Sequence, residues 1–84
     1  MWTIEFSRES VKALMRMPRD QAQRIRSRIE ALARDPHDAP NVKKLTEHPG
    51  YRMRVSDWRV VYLLIEDRVV IHVIRVAQRA EVYK

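Results

Sequence analysis

Hydrophobic positions along this chain follow two different periods, and the change from one to the other divides it. Thr3 to Phe6 reads as a short first strand. Ser7 is placed as a helix N-cap, and a helix is predicted from Arg8 to about Met17, with Val11, Leu14 and Met15 on one side at helical spacing. Pro18 separates this helix from a second one, since proline is well tolerated in the first helical turn. Ala22, Ile25, Ile29 and Leu32 then recur at steps of three, four and three, an amphipathic stripe with Arg24, Arg28 and Glu30 off it. Asp35-Pro36 ends the helix, because the residue before a proline is pushed out of the α region. Residues 36 to 50 hold three of the four prolines and the one glycine. They read as loop, with a short turn over Asn41 to Leu45 that packs Leu45 inward.

After Gly50 the period becomes two. Tyr51-Arg52-Met53-Arg54-Val55 alternates apolar with basic. Trp58 to Ile65 and Val69 to Val76 are two further strands rich in Val and Ile, joined by a tight turn at Glu66-Asp67-Arg68. The order is β-α-α-β-β-β. It implies an α+β fold with two helices packed on one face of a mainly antiparallel four-stranded sheet. All of residues 1–84 are assigned to one domain.

The hairpin carries a geometric expectation. A two-residue turn at Ser56-Asp57 pairs Val55 with Trp58 and Arg54 with Arg59, so the two arginines share a face, and Arg52 joins them. Like charges directly opposite destabilise a sheet by up to about 1 kcal/mol per pair. A sequence with this conflict either screens the arginines with acids or uses them on an anion. Ser-Asp lacks the Gly or Asn that such turns prefer, and a longer loop would shift the register. Arg59 is expected to be partly exposed.

Charge sharpens this picture. Seventeen Lys+Arg against eleven Asp+Glu give +6 over 84 residues, with a pI near 10.3. Thirteen of the seventeen cations are arginine, whose planar fork suits phosphate. Nucleic acid is one partner class that fits, and an acidic protein covering the basic face is another. There is no cysteine, which excludes disulfides and thiolate metal sites and fits a reducing cytoplasm. The first residues lack a basic stretch followed by an apolar one, so no secretory signal is expected. The longest apolar run, Val60 to Ile65, is too short for a bilayer, and no membrane partner is expected.

The element order, and above all the segment from Tyr51 to Tyr62, resembles the RelE/ParE toxin superfamily. The pattern there is basic-x-basic, a hairpin turn, aromatic-Arg, two aliphatics and Tyr. The chain end, with Arg79 and then Glu81-Val82-Tyr83, fits too, as do Leu14, Pro18 and the Asp35-Pro36 stop. The resemblance implies a toxin of a type II toxin–antitoxin pair. RelE-like members enter the ribosomal A site and cut mRNA by attack of a 2′-hydroxyl on its adjacent phosphate, without a metal or other cofactor. ParE-like members share the fold and poison DNA gyrase. The resemblance carries the family's catalytic positions onto Arg52, Arg54, Arg59, Arg79 and Tyr83. The implied partners are a cognate antitoxin, and mRNA on the ribosome together with rRNA.

This chain has arginine at Arg52 and Arg54 where the better-known RelE pattern has lysine. Arginine stays protonated at working pH, so the proton acceptor is left open. Within this reading Arg52, Arg54 and Arg59 grip phosphates, and Arg79 sits near the leaving 5′-oxygen. Tyr83 orients the base or assists proton transfer, with core packing as the rival. Glu47 and His48, just before the first basic strand, are the local groups able to act as a base near neutral pH. His72 is either a satisfied buried histidine or a residue of the site face. Trp58, Tyr62 and Tyr51 are read as core. Arg24, Arg26 and Arg28 are read as the exposed side of the second helix, open to a secondary rRNA contact. Three functions remain: a ribosome-dependent mRNA endonuclease, a gyrase inhibitor, and a weakly active toxin that mainly binds its antitoxin.

Overall fold

The computed structural model describes residues 1–78; Arg79 and Tyr83 lie outside the described residues. Strand β1 (Thr3–Phe6) leads into helix α1 (Arg8–Arg16) and helix α2 (Arg19–Arg34), followed by β2 (Val42–Lys44), β3 (Tyr51–Val55), β4 (Trp58–Ile65) and β5 (Val70–Gln78). The sheet order is β1-β5-β4-β3-β2, antiparallel except for the parallel pair β1–β5. The sequence pattern gave four strands; the fifth is β2, inside the segment read as loop. Three residues are too few to show a period. This strand exists because Lys43 and Lys44 pair with Arg52 and Tyr51 along the edge of β3. Leu45, just after it, is half-buried.

The core lies between the helices and the inner sheet face. Leu14, Ile25, Ile29 and Leu32 from the helices meet Met53, Val55, Val60, Tyr62, Ile71 and Val73 from the strands. Helix α2 buries the stripe its period predicts. Helix α1 does not: its buried positions are Ser10 and Leu14, with Met17 beyond its end, while Val11 and Met15 face solvent. The difference comes from Ser10. At first sight polar, it belongs to the buried face because its hydroxyl donates to the Val73 carbonyl at 3.1 Å.

Ser10 is one half of a clasp. Ser7 caps α1, its Oγ accepting from the Ser10 amide at 3.0 Å and donating to the Ile74 carbonyl at 2.9 Å. The Ser7 amide donates to the Val73 carbonyl at 2.8 Å. These bonds fall where β5 carries a bulge: Val61 pairs with Arg75 and Tyr62 with Val73, leaving Ile74 as the extra residue. A bulge leaves backbone groups unpaired in the ladder; the Ser7 hydroxyl supplies a donor to the carbonyl of the extra residue, and the Ser10 hydroxyl adds a second donor at Val73. Gly50 has a steric task at the start of β3. A Cβ there would lie 2.9 Å from both the His48 ring and the Tyr62 carbonyl oxygen.

Tyr62 is fully buried and stacks on Tyr51 at 5.7 Å between ring centroids. Its hydroxyl has no hydrogen-bond partner among the described residues. Burial, with a smaller contribution from Tyr51, pushes its phenol far above the ordinary tyrosine value. A group whose folded pKa is raised contributes stability below its unfolded pKa of about 10 and loses it as pH rises further. Stability is therefore expected to fall above about pH 10, and Tyr62→Phe is expected to remove part of that fall in melts run across the alkaline range. Ser7→Ala, which removes the cap and a donor to the bulge, is expected to cost about 1–2 kcal/mol. That corresponds to a melting temperature lower by very roughly 5–15 °C for a domain this small.

Candidate functional site

The β3–β4 hairpin closes through two residues, and the register is the one that pairs Arg54 with Arg59 and Val55 with Trp58. Ser56 takes φ 53°, the positive value that primed hairpin turns require at their first central position. A non-glycine residue pays for that conformation, and here a bond from helix α2 helps hold it: Arg24 Nη1 donates to Ser56 Oγ at 3.2 Å. The turn therefore forms without Gly or Asn, and the register survives.

From this register the outer face of the sheet can be read row by row. Arg54, Arg59 and Ala77 lie across one row, and Lys43, Arg52, Val61 and Arg75 across the next. Farther along the sheet, Leu63, His72 and Glu5 form a third. Five cations thus occupy two adjacent rows that contain no carboxylate. Arg75 reaches this face only because of the bulge. Strict alternation from His72 would have turned it toward the core. Sequence reasoning missed it, although two polar residues three apart in an otherwise apolar strand were a sign of the broken alternation. Lys43 was missed because its strand was.

Arg52 is half-buried, and Arg54 is exposed. Arg59 corrects the expectation of partial exposure: it is 2% exposed. It sits on β4, with β3 and β5 on either side and Arg54 and Ala77 as its cross-strand neighbours. Its Nη1 donates to the Trp58 carbonyl at 3.2 Å. Truncating it would therefore remove buried packing as well as charge. Arg54, by contrast, makes no ion pair or side-chain hydrogen bond among the described residues. Acid screening does not resolve the conflict for this arginine.

At the hairpin tip a cleft of about 390 Å³ is lined by Arg28, Asn41, Arg54, Ser56, Asp57 and Arg59. The loop before β2 is tied to it, since the Arg54 amide donates to the Asn41 carbonyl at 2.9 Å. Arg28, read from the sequence as part of an exposed helix side, is half-buried and belongs to this cleft. The amphipathic stripe identified the buried face of α2 but not what the rim of that face would meet.

The other candidates separate from these rows. His48 Nδ1 accepts from the Gly50 amide at 2.8 Å, which leaves the proton of a neutral ring on Nε2 and Nδ1 already engaged. Glu47 is exposed. His72 is half-exposed rather than buried, on the outer face, with Nδ1 3.7 Å from Glu5. Trp58 and Tyr51 are half-buried on the inner side, the Trp58 indole donating to Gln21 Oε1 at 2.9 Å.

Comparison with known proteins bears on this geometry. Residues 4–83 match the family model described as the ParE toxin of the type II toxin–antitoxin system, parDE. Among solved structures, the chain is similar to the toxin of the intact Escherichia coli RelBE toxin–antitoxin complex, at a TM-score of 0.81 and 21% identity over 93% of this chain and 96% of that one. The archaeal RelE–RelB complex from Pyrococcus horikoshii OT3 gives 0.81 at 25% identity, covering 93% and 94%. The RelBE2 complex from Mycobacterium tuberculosis gives 0.81 at 18%, covering 93% and 98%. No curated protein sequence matches the chain.

Removing one member of the opposed pair tests its electrostatics. Arg54→Ala is expected to raise stability slightly, by up to about 1 kcal/mol at low salt, with the gain shrinking as salt screens the pair. Thermal melts of parent and variant at two ionic strengths check both signs.

Proposed function

This chain belongs to the ParE toxin family of type II toxin–antitoxin systems; from its site geometry we propose that it is a ribosome-dependent mRNA endonuclease whose outer sheet face grips the RNA backbone. The observation that carries this reading is the pair of rows in which Lys43, Arg52, Arg54, Arg59 and Arg75 stand together with no carboxylate among them. A gathering of like charge on a rigid sheet is what a polyanion calls for, and fixed cations need no reorganisation as charge develops on phosphate oxygens. In the reaction, a 2′-hydroxyl attacks its adjacent phosphorus. The bond from phosphorus to the 5′-oxygen breaks, and a 2′,3′-cyclic phosphate and a 5′-hydroxyl result. The attacking hydroxyl gives up its proton, and the leaving oxygen takes one. Arg52, Arg54 and Arg59 grip the scissile and flanking phosphates between them; Arg79 and Tyr83, carried over from the family pattern, are proposed to act at the leaving oxygen and the base. No metal or cofactor is invoked. As the toxin of a type II pair, the chain is held by a cognate antitoxin, and an acidic segment of that partner complements a +6 domain.

The match to a ParE toxin model supports a second reading: the resemblance to ParE-like members implies a toxin that poisons DNA gyrase and performs no chemistry of its own. Primer extension on mRNA after induced expression separates them. Discrete cuts within codons, abolished by Arg54→Ala at equal expression, are expected for the nuclease. Intact mRNA with DNA breaks would establish the gyrase reading, and growth arrest undiminished in Arg54→Ala would remove this arginine from the site.

A further inference from the structure

The cleft at the hairpin tip contains a residue that the family pattern does not reach. Arg28 projects from α2, one helical turn after Arg24, so both lie on the same side of that helix. Arg24 is engaged with Ser56. Arg28 instead lines the cleft with Arg54 and Arg59, and among the described residues neither it nor Arg54 makes an ion pair or side-chain hydrogen bond. The one carboxylate in the lining, Asp57, has none either. Three guanidiniums therefore border one open space against a single acid. Holding a long cationic side chain half-buried beside like charges opposes stability, which marks a site that breaks a local rule.

We propose that this cleft is a second phosphate subsite, in which Arg28 and Arg54 hold the phosphodiester next to the one gripped on the sheet face. The inference rests on the reading of the outer face as an RNA-binding surface and extends it around the hairpin tip onto α2. The two basic rows are two residues apart along the strands, about 6.6–6.8 Å, a span comparable to neighbouring phosphates in an extended single strand. A strand lying over Arg52 and Arg75 therefore reaches Arg54 with its next phosphate and enters the cleft. Asn41 and Ser56 in the lining offer neutral donors and acceptors to a ribose or a base edge.

Binding of the full chain to a labelled 2′-O-methyl oligoribonucleotide, which lacks the attacking hydroxyl, isolates the grip from the chemistry. Anisotropy titrations over a range of salt would compare the parent with Arg28→Ala, Arg28→Gln and Arg34→Ala, the last an exposed position of the same helix. Loss of Arg28 is expected to weaken binding about tenfold at low salt, the scale of one charge-assisted hydrogen bond. It should also flatten the log–log salt slope by about 0.7, the value for one phosphate on a single strand. Arg28→Gln keeps the bulk of the side chain and should show the same flattening, which separates lost charge from disturbed packing. Arg34→Ala should match the parent. The subsite is overturned if Arg28→Gln loses no more than Arg34→Ala, or if its slope is unchanged. It is equally overturned if Arg28→Gln weakens binding of polyglutamate while leaving the oligoribonucleotide untouched. Primer extension with the same variants keeps the two claims apart. A parent that cuts mRNA while Arg28 proves irrelevant to binding defeats only the subsite. A parent that leaves mRNA intact while binding depends on Arg28 defeats only the nuclease.

Discussion

Arg54 and Arg59 stand opposite each other because a two-residue turn leaves the chain no other register. Successive side chains in a strand point to opposite faces, so this single tie decides the side on which every residue of β3 and β4 emerges. With it, Met53, Val55, Val60 and Tyr62 go to the core while Arg52, Arg54 and the buried Arg59 go to the opposite face of the sheet. Slipping the pair by one residue would bury the arginines and expose the core. The apolar face thus enforces the charged one, and the free energy of burying the core holds together cations that repel one another. The bond from Arg24 to Ser56 steadies the strained turn on which this arrangement depends.

The clasp at the start of α1 extends the same logic across the sheet. Ser7 and Ser10 supply hydrogen-bond donors to the backbone at the bulge in β5, which changes the parity of that strand and turns Arg75 outward. A helix cap and a change of strand parity are therefore one structural event. The outer face gains a cation through it, and the core keeps Val73 and Val76 on the inner side.

Much of this was legible in the sequence. The alternation of Tyr51 to Val55 announced the basic face, and the stripe from Ala22 to Leu32 announced the helix that covers the opposite one. What escaped reading came from pairings between distant segments. Val42–Lys44 is a strand only because β3 offers it an edge. Arg75 is outward only because of a bulge fixed by serines more than sixty residues earlier. Arg28 reaches the cleft because the hairpin tip closes over that side of α2. Arg59 is buried in a central strand, between neighbours that two other strands supply. Arg79 and Tyr83 remain readings of the family pattern.

In the proposed function RNA lies on the outer sheet face, and the groove between α1 and α2, lined by Leu14, Met15 and Met17 among others, takes no part in the contact. Backbone amide shifts of the chain, followed while an uncleavable oligoribonucleotide is titrated in, test that assignment directly. The largest changes should fall on Arg52, Arg54, Arg59 and Arg75 and their neighbours. Changes confined to the α1–α2 groove around Leu14, Met15 and Met17, or no changes at all, would contradict it.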